Sequence, residues 1–170
     1  LAAAGAKLDA FYVQPVCSPT RAALMTGRYP MRHGLQVGVV RPWAQYGLPL
    51  EERTLAQGLK DAGYATAIVG KWHLISNPIG FDFWRVLPGQ GDYNNPEFIG
   101  PAGKRRVEGY ATELITDISL DWLRNQRDSS KPFMLMIHHK APHRNWLPAT
   151  KHLHLFDDAT PPLPSTSSAT

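Results

Sequence analysis

One stretch concentrates residue types that could do chemistry: Cys17-Ser18-Pro19-Thr20-Arg21, continuing through Ala22-Ala23-Leu24-Met25 to Thr26-Gly27-Arg28. The chain's single cysteine stands just ahead of a predicted helix start, with Arg21 about one turn in. Unpaired N–H groups and aligned peptide dipoles make a helix N-terminus favour negative charge, and Arg21 adds a full positive charge. Such a place lowers the pKa of a thiol or holds an oxyanion. The same residues also suit a buried cysteine that merely packs, and the stretch alone leaves both readings open.

The elements that must position this stretch follow from apolar spacing and stop signals. Ala10-Phe11-Tyr12-Val13 is a short β-prone run ending before Pro15. Ser18 as N-cap and Pro19 at the first helical position predict a helix through Met25, ended by Gly27. Leu55, Leu59 and Ala62 fall at helical spacing before Gly63, and Ala65-Thr66-Ala67-Ile68-Val69 reads as a strand. Gly80 to Gly103 is rich in Gly, Pro and Asn and predicts a long loop. Ala111, Leu114, Ile115, Ile118 and Trp122 make one apolar stripe, with Glu113, Asp117, Asp121 and Arg124 off it: an amphipathic helix. Phe133-Met134-Leu135-Met136-Ile137 is apolar on both faces, as a central strand covered by helices on each side would be. Helix and strand patterns in alternation predict an α/β fold with a mainly parallel sheet.

Cys-x-Pro-x-Arg followed by Thr-Gly-Arg resembles the signature of the type I, formylglycine-dependent sulfatases. Gly70-Lys71-Trp72-His73-Leu74 looks like that family's lysine–histidine pair, and Lys140-Ala141-Pro142-His143 resembles its Ala-Pro-His segment. The three motifs come in the family's order, and the resemblance runs from about Phe11 to Pro164. It implies an alkaline-phosphatase-like three-layer α/β sandwich, with 1–170 a partial N-terminal catalytic domain truncated at both ends and 161–170 a Pro/Ser/Thr-rich tail or the start of a further portion.

By the resemblance, a maturation enzyme oxidises Cys17 to formylglycine, an aldehyde that works as its hydrate and is also a metal ligand. Arg21 holds the hydrate, His73 hydrogen-bonds one of its hydroxyls, Lys71 clamps the sulfate, and His143 contacts the sulfate or protonates the leaving alcohol. One hydroxyl attacks sulfur; the second later expels sulfate, a cycle that an unmodified thiol cannot complete. The resemblance also implies calcium on oxygen ligands. Most of that acidic set has no counterpart here, since Asp9 alone precedes Cys17, so the chain by itself is expected neither to hold the metal nor to turn over substrate.

Thr26-Gly27-Arg28-Tyr29 through Leu48-Pro49-Leu50 is similar to the arylsulfatase B type, acting on N-acetylgalactosamine 4-sulfate. Gly80-Phe81-Asp82-Phe83-Trp84, Leu87 to Tyr93 and Lys140 to Trp146 look more like bacterial N-acetylglucosamine 6-sulfate sulfatases. The shared implication is a sulfated sugar or glycosaminoglycan. Trp84, Tyr93 and Phe98 could stack on that sugar or fill a loop core. Ile75 stands where family members commonly carry Gly.

Composition narrows the field further. Of 170 residues, 43% are hydrophobic and 19% charged, which excludes a disordered or collagen-like chain. No apolar run is long enough to span a bilayer. A net charge of +4 is spread out except at Lys104-Arg105-Arg106, which reads as a solvated loop and not a nucleic-acid patch. Seven histidines raise the question of zinc, but neither His-x-x-x-His nor Cys-x-x-Cys spacing is read in the chain and zinc is set aside. His138 and His139 read as structural, His33, His152 and His154 as surface residues, and Asp157-Asp158 as a loop pair. Leu1 to Ala6 is not a convincing signal peptide; the resemblance alone implies a periplasmic, secreted or lysosomal protein. The rival readings are a phosphatase or phosphodiesterase of the same superfamily, and a non-catalytic module that binds sulfated glycan.

Overall fold

A computed structural model describes residues 2–160 and residue 162, so the tail expected over 161–170 lies outside the described residues apart from Pro162. Helix α1 (Cys17–Thr26) begins one residue before the expected cap. Val16 is its N-cap, without a side-chain bond, and Ser18 lies inside the first turn. Its hydroxyl is drawn into tertiary bonds, donating to the His73 carbonyl and accepting from the Val40 N–H, both at 3.1 Å. Gly27 ends the helix as expected, at φ 65 with its N–H on the Ala23 carbonyl. Helix α2 (Leu55–Asp61) carries a capping box between Thr54 and Gln57.

Strand β1 (Ala65–Lys71) is buried throughout and runs two residues past the predicted strand. The expected long loop is instead a meander of β2 (Phe83–Leu87), β3 (Glu97–Gly100) and β4 (Gly103–Arg106). The aromatic and branched residues of 83–87 find a ladder on β1, and the Gly, Pro and Asn that suggested a loop form the turns between short strands. Lys104, Arg105 and Arg106 are accordingly an exposed edge strand, where charge discourages further pairing. Phe11, Tyr12 and Val13 form no strand and stay exposed.

Helix α3 (Ala111–Asp121) continues into a π-helical turn, Trp122–Gln126, before β5 (Phe133–His138). The sheet order is β4-β3-β2-β1-β5, with β1 parallel to both β2 and β5 and the outer pairs antiparallel. Strand β5 is therefore at an edge of the described sheet, not at its centre, and Phe133 and Ile137 are about half exposed.

Alternation along the strands builds three layers. Ile68, Val86, Ile99, Met134 and Met136 pack towards Ala22, Met25 and Ala56 of α1 and α2. Val69, Leu87, Phe98 and Leu135 pack on the other face towards Leu114, Ile115 and Ile118 of α3. The described residues thus have the expected α/β architecture, parallel at its core with an antiparallel extension.

Candidate active site

Parallel pairing of β1 with β5 brings their carboxyl ends side by side, with Gly70 in register with His138. Ligand sites in open α/β sheets form at this edge. Gly70 has φ 104, and a Cβ there would stand 2.0 Å from the His138 carbonyl oxygen, so only glycine lets the two strands meet. Lys71 and His73 leave one strand end, residues 138–143 leave the other, and the first turn of α1 approaches through the Ser18 bridge.

Cys17 Sγ lies 3.3 Å from His73 Nδ1. His73 Nε2 is 3.1 Å from the Val40 carbonyl, which can only accept, so Nε2 carries the proton and Nδ1 faces Cys17 as an acceptor. Burial, then the positive charge of Lys71, lowers the His73 pKa to about 4, with Arg21 and His143 adding to the effect against the Val40 bond. His73 has φ 57, and a histidine held in the left-handed region marks a backbone constrained by its surroundings.

Arg21 Nη1 donates to the Lys71 carbonyl at 2.7 Å, while its Nε is buried without a partner. The Lys71 ammonium, 3% exposed as a residue, donates to Gln90 Oε1 at 2.5 Å. Lys140 donates to the Gln90 carbonyl at 3.2 Å and lies 4.6 Å from the centre of the Tyr93 ring. Burial pushes Arg21, Lys71 and Lys140 below their ordinary pKa values, and for Lys71 the charges of Arg21 and Lys140 push the same way against Cys17. Three desolvated cations and an unpartnered N–H make a site that an anion would relieve. His143 donates from Nδ1 to the Arg144 carbonyl at 2.6 Å, which leaves Nε2 outside that bond. A cleft of about 410 Å³ borders His73 and Gln90 and is lined also by Trp72, Ile75, Leu87 and Lys104.

Comparison with known proteins gives the family: residues 1–165 match the family model for Sulfatase. The chain belongs to the sulfatase family. It is 43% identical over 166 residues to an N-acetylglucosamine-6-O-sulfatase of Bacteroides thetaiotaomicron, covering 95% of this chain and 28% of that protein. It is 36% identical over 165 residues to arylsulfatase J of Mus musculus, covering 84% and 27%. A protein solved in complex with its substrate D-glucosamine-2-N,6-O-disulfate superposes with a TM-score of 0.82 at 41% identity, over 92% of this chain and 31% of that one. The chain thus spans less than a third of the length of these relatives.

Cys17, Arg21, Lys71 and His73 meet at one edge, and His143 follows β5 in the loop whose Lys140 shares Gln90 with Lys71. Residue 17 fits a formylglycine, because a bare Nδ1 and an unpartnered Arg21 N–H stand ready for added oxygen. Calcium is different. Among the described residues no three His, Cys, Asp or Glu side chains gather, and the charges around Cys17 are cationic, so these residues do not themselves form a calcium site. Contrary to the expectation, His139 and His143 stand at His-x-x-x-His spacing, but in a loop where no third ligand joins them among the described residues.

Other expectations change. His138, read as structural, contacts both Arg21 and Lys71. His33 has both ring nitrogens buried and unpartnered and is no surface residue, whereas His152 and His154 are exposed. Tyr93 and Phe98 are buried and fill the core, so neither offers a face to a sugar. Trp84 packs against the α1–α2 core. Gln90 and Lys140 escaped notice as site residues, although Gln90 follows a β-prone run and Lys140 opens a motif. Asp157 and Asp158 are exposed in a turn, as expected. No helix among the described residues is long and apolar enough to cross a membrane.

Proposed function

We propose that the protein hydrolyses sulfate monoesters of a sulfated amino sugar, with residue 17 acting as formylglycine after oxidation of its thiol by a maturation enzyme. The observation that carries this reading is the 3.3 Å approach of Cys17 to a bare His73 Nδ1, beside the unpartnered Arg21 Nε and the buried Lys71 ammonium. Formylglycine supplies a hydrated aldehyde, a nucleophile with the second hydroxyl needed to release sulfate.

The chain's own residues do the rest. His73 Nδ1 accepts a hydrogen bond from the group on residue 17 and orients it, its tautomer held by Val40. Arg21 offers its free N–H to the same oxygen. Lys71, with the amide of Gln90, binds sulfate oxygens and balances charge developing on them. His143, its Nδ1 held by the Arg144 carbonyl, gives a proton from Nε2 to the departing alcohol. The 43% identity to an N-acetylglucosamine-6-O-sulfatase and the disulfated glucosamine in the 41% identical structure support a 6-O-sulfated glucosamine. The resemblance supports calcium, whose acidic ligands would come from outside the described residues, and a periplasmic, secreted or lysosomal location.

The test is turnover of N-acetylglucosamine 6-sulfate, an aryl sulfate and the matching phosphate esters by the complete protein, co-expressed with a formylglycine-generating enzyme. Sulfate release that Cys17→Ala abolishes supports the proposal. Preferred phosphate turnover, or sulfated-sugar binding without turnover and indifferent to Cys17→Ala, overturns it.

A further inference from the structure

His138 belongs to none of the three motifs, yet it occupies the junction between them. It is the last residue of β5, half-buried, and its ring lies over the carboxyl end of β1. Its Nδ1 is 3.0 Å from Arg21 Nη1 and 3.1 Å from the Lys71 carbonyl oxygen, while the same Nη1 is 2.7 Å from that carbonyl. Nη1 has two hydrogens and meets two acceptors, so it can donate to both only if Nδ1 carries no proton. Burial, then the Arg21 charge, keeps the ring neutral by lowering the His138 pKa to about 4, and the guanidinium N–H at 3.0 Å selects the neutral tautomer whose Nδ1 is bare.

The consequence lies at the other end of the guanidinium. With Nη1 tied to β1 and β5 together, the rigid fork has one orientation, and its buried Nε–H remains without a protein partner. A long, flexible arginine is thereby aimed before any ligand arrives, which removes ordering from the reaction itself.

We propose that His138 is a positioning residue: its Nδ1 accepts from Arg21 and, with the Lys71 carbonyl, holds the guanidinium so that Nε–H is presented to the oxygen borne by residue 17. The inference rests on the sulfatase reading above. His138 touches neither substrate nor the reacting atoms; it acts through Arg21.

The experiment compares His138→Leu and His138→Asn with the wild type, using the complete, matured protein and N-acetylglucosamine 6-sulfate or an aryl sulfate. Leucine fills the space without an acceptor, and asparagine restores an oxygen near the place of Nδ1. A misaimed Arg21 lowers kcat of His138→Leu by roughly 10–100-fold with KM changed less than about threefold, and His138→Asn recovers most of the loss. Thermal unfolding checks that both variants fold. Leucine and asparagine variants equal to each other overturn the proposal, whether both are active or both impaired, because no acceptor is then at work. If neither folds, a crystal structure of the complete protein decides: Arg21 Nη1 beyond hydrogen-bond distance of His138 Nδ1 overturns it, and Nη1 within reach with Nε turned to residue 17 supports it. A wild type inactive on every sulfate ester defeats the sulfatase reading itself, whereas an active wild type with an indifferent His138→Leu defeats only this inference.

Discussion

Cys17 Sγ and His73 Nδ1 stand 3.3 Å apart although 56 positions separate them in the chain. Ser18 closes the gap: buried in the first turn of α1, it grips the backbone of both His73 and Val40, and Val40 in turn holds the far side of the His73 ring. A small hydroxyl beside Cys17 thus sets the distance from that residue to His73.

Ser18→Ala should therefore cost more than a lost surface bond. It leaves the Val40 N–H and the His73 carbonyl short of a partner in a buried place, a loss of about 1–3 kcal/mol of folding stability. Urea titration checks this, and kcat should fall with it because His73 loses its anchor. Unchanged stability and kcat would contradict the bridge.

Lys71→Met separates stability from function. The ammonium is buried beside Arg21 and Lys140, and its removal relieves both desolvation and like-charge repulsion. Folding stability should rise by about 1–2 kcal/mol. The kcat/KM for a sulfate ester should fall by roughly 10²–10³-fold, the loss typical of an electrostatic stabiliser. Urea titration and steady-state kinetics on the same preparations test the two halves.

Gly70→Ala should collapse the site by way of the sheet. A methyl group there meets the His138 carbonyl at 2.0 Å, and φ 104 is strained for any side chain. The β1–β5 junction must open, at about 3–5 kcal/mol. Loss of soluble expression or a sharply lowered unfolding midpoint is the expected readout, and a wild-type midpoint would refute it.

Acid stability should pass partly through Asp82. Burial works against its ionisation, but the Lys60 ammonium at 2.7 Å and the N–H and hydroxyl of Thr66 outweigh it and hold the pKa below the ordinary value. A carboxylate depressed in the folded state contributes stability above its unfolded pKa and loses it as pH falls through the folded value. Asp82→Asn should be less stable than wild type at neutral pH, with the gap closing as pH drops below the normal carboxylate range. Urea midpoints across that range measure it, and a gap independent of pH would contradict the assignment.

Elements with long, locally declared patterns were legible from the residues alone. The Gly27 cap, the apolar stripe of α3 and the buried run of β1 each carry their own signal. The meander β2–β4 did not, because strands of four or five residues are stabilised by a partner found in space and their Gly and Pro turns look like loop. The exposed apolar residues of β5 misled in the same way: apolar faces announce burial without saying what covers them.

The site divides along similar lines. Cys17, Arg21, Lys71, His73 and His143 sit in motifs that can be read in line. Gln90 and Lys140 meet Lys71 through a loop return, and His138 meets Arg21 across the β1–β5 junction, so only the fold reveals them. Ile75 stands at φ 63, a left-handed backbone that a β-branched residue adopts only under constraint and that its position in line does not announce.

The central claim is that Cys17 is the precursor of the working nucleophile. Peptide mass spectrometry across Cys17, after co-expression with a formylglycine-generating enzyme, tests it most directly. The account predicts loss of the thiol mass in favour of the aldehyde or its hydrate. An unmodified cysteine, under conditions where a known sulfatase is converted, would contradict it.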